Sequence, residues 1–197
     1  MLLRLFSAVL AIAALVGSVD FARAQADNER FMMLGGGAPR AKNYNFFGFG
    51  GTDTTKSRVN YSGSERPGTI VINTAERKLY LVEEGGSALQ YGVGVGRVGF
   101  TWKGTHKITA KKEWPDWTPP PEMRQRVRGL PVHMKGGIEN PLGARAMYLG
   151  STLYRIHGSN EPETIGQAVS SGCFRMTNDD VQDLYGRVAV GTTVIVR

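Results

Sequence analysis

Short hydrophobic runs, separated by glycine, proline and polar residues, fill the C-terminal two-thirds of this 197-residue chain. Runs rich in β-branched and aromatic residues and bounded by turn residues are typical of strands. They predict strands at 69–72, 78–82, 89–95, 105–110, 144–149, 153–156 and 192–196. The residues between the first two runs, 73–77, predict a hairpin connection. Glycines alternating with valines in the third run, at Gly92, Gly94 and Gly96, indicate a bulge or a close backbone approach.

One stretch near the C-terminus has the spacing of a helix. Thr177 precedes Asp180 by three residues, as in a capping box, and acidic residues suit the positive start of a helix. The apolar residues that follow recur at helical spacing and are expected to face the core: Val181, Leu184, Tyr185 and Val188. The pattern therefore predicts a mainly β domain with one clear helix.

The N-terminal third divides into a targeting segment and a spacer. A short positive start, an apolar run at 5–16 and Ala22-Arg23-Ala24 predict a signal peptide over 1–24, with a second cleavage site after Ala26. An uncleaved anchor is the alternative. Residues 25–67 show no steady period and are predicted to be a flexible Gly, aromatic and polar spacer, although its aromatics could pack on the domain or bind a partner. Residues 68–197 then fit one domain of ordinary size.

A proline-rich aromatic segment, 112–123, interrupts the strands. Its four prolines remove backbone donors, so we expect a rigid loop without regular structure. Trp114 and Trp117 could form a wall or lid of a substrate cleft, or a structural corner packed on the domain.

The single cysteine and one of the three histidines are the strongest candidates for chemistry. Cys173 follows a Ser-Ser-Gly turn, and His157 lies upstream at the end of a predicted strand. A thiol needs a base within reach to act as a nucleophile, and Gly172 permits a turn whose N–H groups could form an oxyanion hole. Arg175 would project to the same side as Cys173, where a cation would favour the thiolate. The alternative is an inert buried cysteine.

Composition narrows the possible partners. The formal net charge is +7, and removing Arg4, Asp20 and Arg23 with the signal peptide leaves +6. An exported basic protein could bind an anionic wall polymer, or the excess charge could merely aid solubility. Export makes nucleic acid an improbable partner, and we expect no stable membrane insertion after signal cleavage. The histidines lack metal-ligand spacing, so we expect no metal and no cofactor.

The segments Ile156-His157-Gly158, 170–176 (Ser-Ser-Gly-Cys-Phe-Arg-Met) and 191–196 together resemble the L,D-transpeptidase catalytic domain, or YkuD domain. The resemblance covers about Gly68 to Arg197 and implies a β-sandwich-like fold. It implies that Cys173 is the nucleophile and His157 its base. One departure is Ser171, which stands where many members have a histidine.

The resemblance implies a periplasmic or cell-envelope enzyme that acts on peptidoglycan tetrapeptide stems. The cysteine would form a thioester, D-Ala would leave, and an amine on a second stem or on a wall-attached lipoprotein would accept the acyl group. Residues expected to bind substrate or the oxyanion are Gly172, Ser171, Ser170, Arg175 and Gly158. Arg155 would add charge or, with the two tryptophans, line the cleft.

Two other functions remain open from the sequence. The same Cys–His pair could use water as the acceptor, which would make the protein a peptidoglycan hydrolase or amidase. Alternatively, the domain could be a non-catalytic wall-binding module, although the sequence contains no recognisable wall-binding repeat.

Overall fold

The computed structural model describes residues 53–197, so the predicted signal peptide and most of the predicted spacer lie outside the described residues. Within this range the chain forms eleven strands, two α-helices and one short 3₁₀ helix. The strands are β1 (Ser57–Asn60), β2 (Ile70–Asn73), β3 (Lys78–Glu83), β4 (Ser87–Gly92), β5 (Val95–Gly96), β6 (Gly104–Glu113), β7 (Arg145–Leu149), β8 (Arg155–His157), β9 (Ala168–Ser170), β10 (Phe174–Arg175) and β11 (Thr193–Val196). The helices are α1 (Pro121–Arg126) and α2 (Asn178–Arg187), and the 3₁₀ helix is Pro162–Thr164.

Nine of these strands are hydrogen-bonded in the order β1-β4-β3-β2-β11-β6-β7-β8-β10, and β5 pairs with β9. The long strand β6 belongs to both halves of this array, because its first half pairs with β11 and its second half with β7, with an irregular register between Ile108 and Ala110. Side chains from both halves, such as Ile72 and Met147, join one buried cluster. The mainly β, sandwich-like fold is thereby confirmed.

The predicted hairpin at 73–77 is confirmed. Strands β2 and β3 pair antiparallel, with Asn73 opposite Lys78. The Asn73 side-chain oxygen accepts hydrogen bonds from the N–H groups of Ala75 and Glu76, at 3.1 and 3.2 Å. An asparagine that bonds to backbone two or three residues ahead fixes a tight turn, and this turn presents Arg77 at the end of the sheet.

The predicted glycine-dependent packing of the third run is also confirmed. A Cβ atom on Gly92 would lie 2.6 Å from Thr54, and one on Gly96 would lie 2.4 Å from the Phe100 carbonyl oxygen. The run is not one strand, however. β4 ends at Gly92, and β5 leaves the main sheet to pair with β9 beside the candidate site.

The spacer prediction is wrong for residues 57–60. These residues form β1, which pairs antiparallel with β4 at the edge of the sheet. Arg58 secures this edge through bonds of 2.7 and 3.1 Å to the Glu83 carboxylate. Only alternate β1 residues are partly covered, so the strand lacks the hydrophobic signal by which the other strands were predicted.

Helix α2 begins and packs as predicted. The Thr177 side chain caps its start by accepting a 3.1 Å bond from the Asp180 N–H, and Val181 and Leu184 are fully buried. At its other end the Lys111 ammonium donates to the carbonyls of Tyr185 and Val188, at 2.7 and 2.6 Å. A cation on the last carbonyls stabilises a helix end, so α2 is fixed at both ends.

The prediction of no regular structure over 112–123 is wrong at both ends. Strand β6 continues to Glu113, and α1 begins at Pro121. Proline is tolerated in the first turn of a helix because the N–H that it lacks would have no partner there. Residues 118–132, which contain α1, form a unit separate from the rest of the described chain. Between residues 53 and 197, no helix is long and apolar enough to cross a membrane.

Candidate active site

Two short parallel strands bring the segments of the predicted base and nucleophile side by side, because His157 ends β8 and Cys173 directly precedes β10. Their register pairs Phe174 with Ile156 and Arg175 with His157. Phe174 and Ile156 are buried in the core, so the residues that alternate with them point to the opposite face. His157 therefore points away from this core, and Cys173 directly precedes the strand that runs beside it, about 4.8 Å away.

The turn before the cysteine is held by Ser170. The hydroxyl of this buried serine donates a 2.6 Å bond to the Cys173 carbonyl and accepts a 3.2 Å bond from the Gly172 N–H. Gly172 has φ +106°, and a Cβ atom there would lie 2.5 Å from the Tyr154 ring. Only glycine adopts this conformation easily, so Gly172 is required for the path of the chain into Cys173.

Cys173 is partly exposed and free of disulfides. Its Sγ lies 3.9 Å from the Leu153 carbonyl oxygen. The Arg155 guanidinium donates to the same oxygen, with 3.3 Å from Nε and 3.0 Å from Nη2. The thiol therefore lies beside a carbonyl that also binds the Arg155 guanidinium. Cys173 is at the same time partly accessible to solvent.

His157 is buried, with only 5% of the residue exposed. Its Nδ1 lies 2.6 Å from the Gly158 carbonyl oxygen. A carbonyl only accepts, so we assign the ring proton to Nδ1, which leaves Nε2 with its lone pair as a base. Burial, together with the positive charges of Arg175 and Arg155, lowers the pKa of His157 to about 3. The imidazole is therefore neutral at physiological pH.

Arg175 forms an ion pair with Glu161. The guanidinium Nη1 lies 3.1 Å from Glu161 Oε2, and both side chains are only 12% exposed. Burial raises the pKa of the Glu161 carboxyl, while Arg175 opposes this shift. The backbone of Arg175 is also fixed, because it exchanges two 2.9 Å bonds with Gly94. Gly94 thus connects β10 to the segment between β4 and β5.

The segments that carry this thiol and this buried, neutral imidazole fall within a match to a known protein family. The family model described as the L,D-transpeptidase catalytic domain, YkuD, matches residues 67–196. The chain belongs to this family.

The chain is 40% identical over 134 residues to the probable L,D-transpeptidase YbiS of Escherichia coli. That alignment covers 64% of this chain and 43% of YbiS, so the chain matches less than half the length of this relative. A solved Brucella melitensis structure, described as a probable carnitine operon oxidoreductase, is 46% identical with a TM-score of 0.50, and the match covers 74% of this chain and 94% of that one. We carry over only its fold.

L,D-transpeptidase 3 of Mycobacterium tuberculosis shares the fold at 15% identity, with a TM-score of 0.53 over 66% of this chain and 60% of that one. At this identity the likeness supports the YkuD fold alone.

Trp102 and Tyr154 contribute to the site but were not predicted from the sequence. The Trp102 indole N–H donates a 2.8 Å bond to the Gly172 carbonyl, and its ring stacks on Tyr154 at 4.7 Å and 12°. The two rings therefore support the turn that carries Cys173. Trp102 is 70 residues from Gly172 in sequence, so no local pattern links them.

Asn160 and the pairing of Glu161 with Arg175 were also missed. Glu161 follows His157 by only four residues, and this proximity was the one sequence signal for the pairing. The signal was weak because the sequence predicted no conformation for the loop between them. In the structure Ser159 Oγ accepts a 2.9 Å bond from the Glu161 N–H, and the Asn160 amide donates a 3.1 Å bond to the Glu139 carbonyl. These bonds fix the loop after β8, and the loop positions the carboxylate beside β10.

The two tryptophans predicted as a cleft wall differ in exposure. Trp117 is 6% exposed, and its backbone exchanges two 2.8 Å bonds with Met134, which favours the structural alternative for this residue. Trp114 is 41% exposed and has φ +39°, so it presents a ring to solvent, and its role as a wall stays a prediction. Asn140, 1% exposed, holds the adjoining loops by donating to the Pro115 and Lys135 carbonyls at 3.2 and 3.0 Å.

The remaining predicted roles stay predictions. Ser171 is half-buried where many members have a histidine, and no contact described above assigns it a function. Within residues 53–197, no group of three or more histidine, cysteine, aspartate or glutamate side chains is arranged to hold a metal ion.

Proposed function

We propose that the protein is an exported L,D-transpeptidase that acts on peptidoglycan tetrapeptide stems. The observation that supports the proposal is that Cys173 directly precedes β10, the parallel neighbour of the strand that ends at His157, whose Nδ1 bonds to the Gly158 carbonyl. Membership of the family supports the reaction class. The predicted signal peptide over 1–24 supports action in the periplasm or cell envelope.

In the proposed reaction, His157 Nε2 accepts the thiol proton as Cys173 Sγ attacks the carbonyl that precedes the terminal D-Ala. The C–N bond breaks, the proton passes from His157 to the leaving D-Ala amine, and a thioester remains. An amine on a second stem, or on a wall-attached lipoprotein, then attacks the thioester and gives its proton to His157. Return of that proton to the departing sulfur restores the enzyme.

The contacts of the turn suggest how the oxyanion is stabilised. The Gly172 N–H already donates to Ser170 Oγ, so we assign the main oxyanion donor to the Cys173 N–H. The role of Ser170 is then to brace the turn. Since Arg175 is paired with Glu161, its proposed part is to position β10, while Arg155 supplies positive charge beside the thiol.

Intact-protein mass spectrometry after incubation with a carbapenem tests the nucleophile. We expect a single adduct, absent in Cys173→Ala, and the assignment is direct because the chain has one cysteine. His157→Gln should slow adduct formation by about 10²- to 10⁴-fold, the usual contribution of a general base. Failure of the reduced, folded protein to form any adduct would overturn the proposal.

Product analysis with purified muropeptides tests the acceptor. Crosslinked dimers and released D-Ala are the expected products. Trimmed stems without dimers would instead identify a hydrolase that uses water. If Cys173→Ala and the unaltered protein associated equally with cell walls and neither changed the muropeptides, the domain would be a binding module.

A further inference from the structure

A second feature of the domain is a cavity of about 630 Å³ beside the turn that precedes Cys173. We call it the cationic cavity. Arg77, Lys103 and Arg197 line it, together with Trp102 and apolar residues that include the exposed Val98. None of the lining residues between 53 and 197 is an aspartate or a glutamate. This combination suits a ligand that is partly aliphatic and carries negative charge.

The charge of the cationic cavity is only partly balanced by the protein. Arg197 forms a 3.2 Å ion pair with Glu65, which offsets one of the three cations. Arg77 Nη1 donates a 3.0 Å bond to the Gly166 carbonyl, which fixes the guanidinium without neutralising it. Lys103 is exposed. Among residues 53–197, Arg77 and Lys103 therefore have no acidic side-chain partner, and both can pair with an incoming anion.

The cationic cavity shares a wall with the active site. Trp102, which lines it, donates its indole N–H to the carbonyl of Gly172, the residue that precedes Cys173. Gly96, which also lines the cationic cavity, approaches the same turn so closely that an added Cβ would lie 3.3 Å from the Gly172 Cα. A peptide that reached the thiol could therefore extend a further segment around this wall.

We propose that the cationic cavity binds a carboxylate of a peptidoglycan stem peptide while another part of that peptide reacts at Cys173. This proposal rests on the proposed function. The carboxylate could belong to the stem that donates the acyl group or to the stem that accepts it, and both sources share the same chemistry. Arg77 and Lys103 pair with the carboxylate, and the apolar part of the lining, which includes the exposed Val98, packs against the aliphatic part of the peptide.

The test compares Lys103→Glu with Lys107→Glu, a matched reversal of another exposed lysine, which does not line the cavity. For Lys103→Glu we expect KM for the carboxylate-bearing peptide to rise by about 5- to 20-fold, the effect of losing one exposed charge pair and adding a repulsion. We expect kcat to stay unchanged. Lys107→Glu should leave both constants within about twofold, since surface charges away from the ligand are screened.

Two assays identify the source of the carboxylate. If it belongs to the donor, Lys103→Glu raises the peptide concentration that gives half the maximal rate of the single-turnover D-Ala burst in the absence of an acceptor. If it belongs to the acceptor, D-Ala release is unchanged and only KM for the acceptor peptide rises. Replacing the peptide carboxylates with amides should abolish the difference between the two lysine variants.

Equal KM values for the two lysine variants, or an unchanged difference with amidated peptides, would overturn this proposal. Alkylation of Cys173 by neutral iodoacetamide should proceed at one rate in all variants, which shows that the thiol is intact. If that alkylation is normal but the unaltered protein releases no D-Ala and forms no carbapenem adduct, the proposed function has failed, whatever the cavity binds.

Discussion

The buried imidazole of His157 should make the folding stability of this protein depend on pH in a defined window. Burial, with the charges of Arg175 and Arg155, lowers the pKa of His157 to about 3 in the folded protein. In the unfolded chain a histidine titrates at about 6.5. Between these values the unfolded state binds a proton that the folded state does not bind, so stability falls as the pH falls.

The size of the effect follows from the separation of the two pKa values. Above about pH 6.5 both states have a neutral imidazole, and His157 contributes no pH dependence. Each unit of pH below that value costs about 1.4 kcal/mol. At about pH 5 the accumulated loss is therefore about 2 kcal/mol, a large fraction of the stability of an ordinary domain.

Urea unfolding at several pH values between about 8 and 5 measures this loss. Cys173→Ser serves as the parent, and Cys173→Ser with His157→Gln serves as the variant. Loss of the imidazole changes packing by an amount that does not depend on pH, so the diagnostic quantity is the difference in unfolding free energy between the two proteins. Titration of other groups, such as Asp183, whose pKa is lowered to about 2, cancels in that difference.

We expect the difference to be constant above about pH 7 and to shift by about 2 kcal/mol in favour of the variant by about pH 5. A difference that stays constant over the whole range would refute the reasoning. It would mean that the imidazole binds a proton as readily in the folded protein as in the unfolded chain, and that burial does not keep it neutral.

Three further substitutions test the supports of the site. Glu161→Gln should destabilise the protein by about 2–4 kcal/mol in urea unfolding, because it leaves the largely buried Arg175 without its counter-charge. The control is Glu163→Gln, at an exposed position of the 3₁₀ helix, which should cost under about 0.5 kcal/mol. Gly172→Ala should lower carbapenem adduct formation by at least about 10-fold, since the added methyl strikes the Tyr154 ring; an unchanged rate would contradict the required turn geometry. Asn140→Ala should lower stability by about 2–3 kcal/mol in thermal unfolding, because buried carbonyls lose their donor, and a smaller loss would indicate that water replaces the amide.

The sequence predicted most of the sheet and its long helix because those elements have strong local patterns. Hydrophobic runs with nearby turn residues identify strands such as β2 and β3, and the cap at Thr177 identifies the start of α2. The exceptions have physical reasons. Strand β1 is stabilised by edge pairing rather than by burial, and α1 begins with a proline that we read only as a breaker.

The candidate site also has a part that the sequence predicted and a part that it did not. Cys173 and His157 were predicted because their chemistry is rare in this chain and their spacing fits the family. Their supports were not predicted, because the bonds from Trp102 to Gly172 and from Glu161 to Arg175 join segments whose meeting depends on the whole fold. A sequence read by itself shows reactive groups better than the contacts that orient them.

These supports determine what kind of base His157 can be in the proposed reaction. Its environment strongly disfavours the imidazolium, so the ring takes the thiol proton only when the attack of sulfur makes that proton acidic. Once protonated, the ring is a strong acid beside the leaving amine and returns the proton readily. Glu161 moderates this bias, because it offsets the charge of Arg175, the nearer of the two arginines in the strand register. The ion pair therefore tunes the base from outside the reacting atoms, and its loss should lower catalysis as well as stability.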